Sequence, residues 1–389
     1  MQKTTVIIPV RNAEKFIDHC LTSIVNQTYK DLEILLMVGV CTDTSLEKCV
    51  EWQKKDDRII IISRKDSSLG DARNYALNIA VGKYITYLDA DDFVELDYIE
   101  EMVRPLEEAE SIDIACCGYG EYQTGENEKI GFIPSISGIC NSSFQSYLQL
   151  LGENAARMWT KAYRKEWLIG NEIIQFDGCC EDQAVKFMLA SKVHKIFCIQ
   201  KILYHYRVDN AESLVHSLKG NTDYPRSVAF GIEYLKRNGV YEEVKETVKR
   251  HVMGEMFYIL DKLNNHREML WACEKFFKSY FPDVLLDYRR YIREREKLKE
   301  KYILFGAGAE LIRVLSRIDQ KKVSYIVDNN ARLTGKEVEG IEIKPFHYLK
   351  TEYSPDEETI LITSYKYCQE MARQLWSSGI TGFWMARDI

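Results

Sequence analysis

Three carboxylates, Asp89, Asp91 and Asp92, fall within four positions where the strand-like run 84–88 ends, with the small Ala90 between the first two. Side chains two apart on extended backbone point the same way. Asp89 and Asp91 can therefore converge on one object, and carboxylate oxygens suit a hard cation. A Mn2+ or Mg2+ ion held by one or two carboxylates completes its shell with substrate phosphates, so a nucleotide diphosphate is the natural partner. The competing reading is a solvated acidic turn closing a strand.

A second acidic pair, Glu181-Asp182, opens the apolar stretch 184–189. On the residues alone this is simple N-terminal helix charge, since carboxylates there interact favourably with the helix dipole. Lys161, two positions after Trp159, reads equally well as an exposed lysine beside a core tryptophan. His205, between Tyr204 and Tyr206, reads first as a structural histidine.

The elements that must position these groups alternate. Strand-like runs at 4–8, 32–38, 58–63 and 84–88 are separated by stretches of helical periodicity at 14–26, 44–54 and 70–79. Such an alternation means a mostly parallel sheet with covered faces, whose ligands bind beyond the carboxyl ends of the strands. Asp89 to Asp92 sit at such an end. A helix over 96–108 that Pro105 ends or kinks, a strand at 112–117 and a polar loop to about 142 follow. That loop is expected to shape the acceptor side.

Four segments carry a resemblance: Val-Ile-Ile-Pro-Val-Arg-Asn at 6–12, Ser-Ile-Val-Asn-Gln-Thr-Tyr at 23–29, Gly-Asp-Ala-Arg-Asn at 70–74 and Gly-Lys-Tyr-Ile-Thr-Tyr-Leu-Asp-Ala-Asp-Asp at 82–92. Their order and spacing resemble the family 2 glycosyltransferases of the GT-A fold, over about residues 4–210. The resemblance implies a metal-dependent enzyme moving a sugar from a nucleotide-sugar donor to a hydroxyl of a growing bacterial surface glycan, free or lipid-linked. It makes Asp91 the direct metal ligand and places Asp89 on the ribose or a metal-bound water. Pro9, Asn12 and Arg73 then surround the nucleotide. Asp182 becomes the general base, with Glu181 orienting it or the acceptor, and a single base opposite the leaving group implies inversion. Lys161 would approach the acceptor and phosphates, and His205 would be a third metal ligand.

One segment departs from the family pattern. Met37-Val38-Gly39-Val40-Cys41 stands where relatives carry a Val-Asp-Asp-Gly-Ser run whose aspartate holds the nucleobase. A buried base edge without its acceptor costs about 1–3 kcal/mol. Either Asp43 or backbone groups of 38–41 supply the contact, or the donor is unusual, or the site has lost activity.

The whole chain sets outer bounds. Its 389 residues suggest two or three domains, and 46% apolar with 29% charged residues is ordinary globular composition. A net charge of -7 argues against nucleic acid as a partner. Eleven cysteines without a Cys-x-x-Cys spacing suit reduced thiols rather than a disulfide framework or zinc site. The start runs directly into a strand with no signal-peptide pattern, and no apolar run approaches the roughly 18 residues of a membrane span. The expected location is cytoplasmic, with peripheral contact at the inner membrane face as the variant.

Residues 211–300 read as a helical connector. Its end, 288–301, has seven Lys/Arg against three Glu, either a solvated helix or a surface for anionic lipid. Residues 301–389 read as a smaller Rossmann-like domain. A strand enters a turn with Gly306 and Gly308, Leu311 replaces the third glycine, and Asp328 stands twenty residues after Gly308. This layout resembles the nucleotide-binding domains of bacterial sugar acetyltransferases and sugar methyltransferases, and implies either a bound nucleotide or a scaffold that mediates homodimerisation. The fold class expected is thus α/β: a GT-A domain over 1–210, the connector, and the accessory domain. Two other functions compete, a catalytically degenerate nucleotide-sugar-binding protein and an NAD(P)-dependent activity in the last domain, which lacks an evident Tyr-x-x-x-Lys pair.

Overall fold

Strand β1 (Thr4–Val10) is buried except at the half-buried Pro9 and pairs in parallel with β2 (Leu32–Val38) on one side and β4 (Tyr84–Tyr87) on the other. The computed structural model describes residues 2–210, 223–262, 267–285, 299–364, 367–380 and 383–385. These fall into two units, Met1–Val244 and Lys245–Ile389.

In the first unit, β3 (Ile59–Ser63) extends the parallel set, giving β3-β2-β1-β4. Helices α1 (Ile17–Val25), α2 (Ser45–Gln53) and α3 (Leu69–Ile79) are the crossovers. Pro9 is tolerated inside a central strand because β4 pairs only as far as Ile7–Tyr87, so the missing N–H falls where β1 has β2 alone. Beyond β4 the sheet turns mixed. The short β5 (Phe93–Val94), β6 (Ile114–Tyr122), β9 (Lys161–Arg164) and the long β10 (Lys195–Arg207) continue it in the order β4-β9-β6-β10-β5.

Two expectations change here. The helix α4 (Tyr98–Glu108) runs through Pro105 without ending, and its last turn is capped from outside: Arg164 donates to Leu106 O at 2.5 Å and Ala109 O at 3.0 Å. The polar stretch before 142 is not loop throughout. It contains β7 (Lys129–Phe132), paired with β6, and β8 (Gly138–Asn141), paired with β10.

Helix α5 (Phe144–Leu151) and α7 (Glu181–Lys192) pack on this half, and the helix Tyr224–Arg237 packs along α7. A Cβ on Gly231 would lie 3.0 Å from Ala184 O, so that helix pair needs glycine for its close approach. All eleven cysteines are free thiols.

The second unit is built on a six-stranded sheet in which β11 (Lys301–Phe305) lies between β12 (Val323–Asp328) and β15 (Glu358–Ile362), all parallel; β14 (Ile341–Pro345) and then β13 (Glu337–Val338) extend it beyond β12, and β16 (Phe383–Met385) extends it beyond β15. Leu304, Leu311, Val314, Ile326 and Leu361 form its core. The helix after the glycine turn is short, Leu311–Leu315, rather than reaching 318. Most of the basic run 288–301, on which the lipid-surface expectation falls, lies outside the described residues. Among the described residues no helix is long and apolar enough to cross a membrane.

Candidate active site

The aspartates leave β4 at its carboxyl end, and each takes a different environment. Asp92 is 1% exposed. It accepts from Tyr204 OH at 2.6 Å and from Arg207 N at 2.8 Å, which ties the turn to β10. Burial, then the charges of Asp91 and Asp89, push its carboxyl well above the usual range. Asp91 accepts from Asn210 Nδ2 at 2.8 Å, and burial followed by the Asp89 charge pushes it up as well. Asp89 is partly exposed and paired with Arg73.

Arg73 is 2% exposed and serves two carboxylates. Its Nη2 donates to Asp89, and its Nη1 donates to Glu181 Oε1 at 2.7 Å and to Gln175 Oε1 at 3.2 Å. Desolvation opposes its charge, but Asp89 and Glu181 outweigh that and hold the guanidinium protonated. Burial pushes Glu181 up to about 7 against the pull of Arg73. Arg73 Nη1 stands 2.7 Å from Glu181 Oε1, so the always-charged guanidinium favours the ionised carboxylate against that burial.

The segment leading to α7 is stitched to α3. Asn74 donates to Gln175 O at 2.8 Å and accepts from Gln175 N at 2.8 Å. The Ser67 and Ser68 hydroxyls donate to Asp177 at 2.8 and 2.7 Å, and these bonds hold the Asp177 carboxyl below its usual range. A Cβ on Gly70 would sit 2.0 Å from Phe176 O, so the close approach requires glycine there. Cys180, at φ 58°, takes the left-handed conformation just before α7, and Ser227 fastens it by donating to Cys180 O at 2.6 Å while accepting from Ala184 N at 3.1 Å. Asp182, next along, bonds only its neighbour Gln183 Nε2, at 3.2 Å, among the described residues. A buried carboxylate paired to arginine and a freer one beside it therefore stand together at the helix mouth.

The other expected residues divide. Asn12, at φ 51°, accepts from Thr42 N at 2.9 Å, joining the turns after β1 and β2. Asp43 is occupied: it accepts from Glu14 N at 3.0 Å, Ser45 N at 3.1 Å and Ser45 Oγ at 2.6 Å. Hydrogen bonds of this kind hold its carboxyl below the usual range despite burial. In the segment 37–41, Met37 and Val38 are buried at the end of β2, while Val40 beyond them is 62% exposed.

Lys161 is not exposed. It is fully buried, and its Nζ donates to Asn154 O at 2.6 Å, Arg157 O at 2.5 Å and Thr160 Oγ1 at 3.4 Å. Burial pushes it down to about 8. His205 stacks on Phe93 at 4.5 Å, with its ring nitrogens 2.5 Å from Glu128 Oε1 and 3.0 Å from Glu95 Oε1. Asn210 rather than His205 is the side chain bonded to Asp91. In the second unit, Gly306 has φ 112°, and Gly308 has open space around it. Asp328, expected to bind ribose, instead accepts from Ala307 N at 2.6 Å and Asn330 N at 2.7 Å.

Sequence reasoning missed Gln175, Asn74 and Asn210. Asn74 was readable as part of Ala-Arg-Asn, but its partner lies 101 residues away. Gln175 carries no local signal.

The sequence model "Glycosyl transferase family 2" matches residues 5–168, and "C2185-like, N-terminal" matches residues 298–382. Residues 5–168 of the first unit are thus similar to the family 2 glycosyltransferases, and the unit has the GT-A fold. It is 40% identical over 225 residues to "Glycosyltransferase GlyA" of Streptococcus pneumoniae, an alignment covering 53% of this chain and 30% of that protein. It is 27% identical to "Minor teichoic acid biosynthesis protein GgaB" of Bacillus subtilis, over 57% of this chain and 25% of that one. The chain spans less than a third of the length of either relative. The crystal structure of S. aureus TarS 1–349 in complex with UDP-GlcNAc shares the fold, with a TM-score of 0.60, 17% identity, and coverage of 74% of this chain and 87% of that one.

Proposed function

We propose that the first unit transfers a sugar, with inversion, from a nucleoside-diphosphate donor to a hydroxyl of a bacterial surface glycan, working in the cytoplasm. The observation that carries this reading is the buried Arg73, which joins Asp89 after β4 to Glu181 at the mouth of α7 in one ion-paired group. The relatives named above, described as a glycosyltransferase and a teichoic acid biosynthesis protein, support the acceptor class.

The donor set fits a divalent cation. Two carboxylates separated by one residue, with Asp91 pushed up by burial and by its neighbour's charge, gain from a positive partner. Asp91, with Asp89 beside it, would hold Mn2+ or Mg2+, which supplies positive charge to the leaving diphosphate. Arg73 fixes the orientation of Asp89. Pro9 and Asn12 line the turn beneath the nucleotide. Asp182 takes the proton from the acceptor hydroxyl as that oxygen attacks the anomeric carbon, and Glu181, held by Arg73, keeps the helix mouth in place. With Asp43 committed to its own turn, backbone groups of 38–41 are left to meet the base.

That commitment favours one second reading, a domain that binds nucleotide sugar without turning it over. Incubation of the full chain with Mn2+ and UDP-, GDP- or CDP-sugars, with nucleotide release as readout, separates the two. Binding without release from any donor and acceptor would decide for the second. For residues 301–389 we propose an accessory module built on the nucleotide-binding layout of sugar acetyl- and methyltransferases. Calorimetry with NAD, NADP and UDP tests it for a ligand, and the self-bonded Asp328 leads us to expect none.

A further inference from the structure

We propose that Ser227, together with Asp223, is a positioning residue for sugar transfer: from the helix Tyr224–Arg237 it fastens the turn that carries Asp182. This deepens the transferase reading above and rests on it, with Asp182 as the base.

Among the described residues Asp182 bonds only its neighbour Gln183, so its direction is set by the backbone that carries it. That backbone is the first turn of α7, 180–184. A helix start leaves its first N–H groups without intrahelical partners, and Cys180 supplies no side-chain cap to meet them. Ser227 meets one from outside. Its hydroxyl accepts from Ala184 N at 3.1 Å and donates to Cys180 O at 2.6 Å, so one oxygen joins both ends of the turn that holds Glu181, Asp182 and Gln183. Ser227 is fully buried.

Asp223, also buried, secures the approach to that turn. Its Oδ2 accepts from Cys179 N at 3.1 Å, and its carbonyl accepts from Ser227 N at 2.9 Å, which links the two anchors. Between them Cys180 holds φ 58°, a left-handed conformation that a residue other than glycine keeps only where its surroundings impose it. Asp223, Ser227 and Gly231 follow one another at intervals of four, which puts them on one face of the helix, and Gly231 lets that face approach Ala184 O. The α3 side ties the same segment down earlier, at Gln175 and Asp177. All three residues of the helix face lie beyond 168, where the family match ends.

Misplacing a reacting group by about 1 Å can lower a rate about 10²-fold. Loss of the Ser227 hydroxyl should therefore slow transfer through Asp182 and leave donor binding alone. A contact that merely held the two helices together would act equally with or without the base. The test is a double-mutant cycle on the full chain: wild type, Ser227→Ala, Asp182→Asn and the pair. The rate read is nucleotide release at saturating donor, with Mn2+ and whichever UDP-, GDP- or CDP-sugar wild type turns over, and calorimetry gives the affinity for the matching nucleoside diphosphate. Ser227→Ala should lower the rate at least tenfold, with affinity within about twofold of wild type. Added to Asp182→Asn, it should change the residual rate by less than about twofold.

A wild-type rate in Ser227→Ala overturns the proposal. So does an equal fractional loss in the wild-type and Asp182→Asn backgrounds, or a tenfold loss of nucleoside-diphosphate affinity in Ser227→Ala. If Ser227→Ala does not fold, Asp223→Ala, which frees Cys179 N, takes its place in the cycle: a loss of about threefold or more is expected with the base present and none without it. An unchanged rate, or the same loss in both backgrounds, refutes the role. Normal turnover by Asp182→Asn removes the base and the positioning role with it. Failure of the transferase reading appears separately, as no nucleotide release by wild type from any donor.

Discussion

Arg73 donates to Glu181 across 108 residues of sequence at 2.7 Å while its second nitrogen holds Asp89, so one guanidinium spans the two halves of the site. Among the described residues neither carboxylate has another cationic partner, and the arginine is enclosed.

Removing that bridge leaves two partly buried carboxylates uncompensated. Arg73→Gln should destabilise the first unit by about 3–5 kcal/mol, the range for breaking a buried pair. Arg73→Lys should recover only part, because an ammonium cannot fork to two acceptors in one plane. Urea unfolding followed by tryptophan fluorescence measures both. Wild-type stability in Arg73→Gln would mean that the contacts contribute nothing net.

The neighbouring aspartates should separate by phenotype. Asp92→Ala leaves the buried Tyr204 OH and Arg207 N without their acceptor, so it should cost about 1–3 kcal/mol of stability with Mn2+ affinity reduced modestly. Asp91→Ala should lose Mn2+ affinity and, with it, nucleoside-diphosphate affinity, while unfolding near the wild-type midpoint. Calorimetric Mn2+ titration alongside thermal melts gives both readings. The opposite pairing of phenotypes would exchange the roles assigned to the two residues.

Much of the parallel half was readable because β2 and β4 are buried on both faces and the helices keep a 3.6-residue period; β2 and α3 fall within a residue or two of the expected spans. The aspartate turn was readable for the same local reason. What failed was decided by distant partners. Lys161 looked like a surface or substrate-facing lysine, but its ammonium is consumed by carbonyls of the preceding turn, which no periodicity encodes. Asp328 occupied the expected ribose position in sequence, yet its carboxylate closes the glycine turn by bonding Ala307 N. Strands β7 and β8 were hidden in a polar stretch because neither has an apolar pattern of its own: β7 folds back on the end of β6 as a hairpin, and β8 pairs with the distant β10, Asn141 opposite Lys195.

Asp182 bonds only Gln183 among the described residues, so replacing its ionisable oxygen should leave the fold intact. Asp182→Asn should lower sugar transfer by about 10²–10⁴-fold, the range for loss of a general base, with nucleoside-diphosphate affinity within about twofold of wild type. Glu181→Gln should act differently, lowering stability through Arg73. Single-turnover transfer with a radiolabelled donor, paired with calorimetry, distinguishes these effects. Normal turnover by Asp182→Asn would remove it from the role of base.

Lys161 offers a pH test of its inward position. Burial lowers its folded pKa to about 8 from the ordinary 10.5. Below pH 8 both folded and unfolded chains carry the proton, and the cost of burying the ammonium is fully present. Between about pH 8 and 10.5 the unfolded chain holds a proton that the folded chain has released, so stability contributed by this group rises with pH. Lys161→Met removes that dependence and leaves the Asn154 and Arg157 carbonyls without their donor, at a cost of about 1–3 kcal/mol. Urea unfolding of both proteins at pH 7 and pH 10 should therefore show wild type gaining on the variant by on the order of 1–3 kcal/mol at the higher pH. Parallel pH profiles would mean that Lys161 keeps an ordinary pKa and reaches solvent.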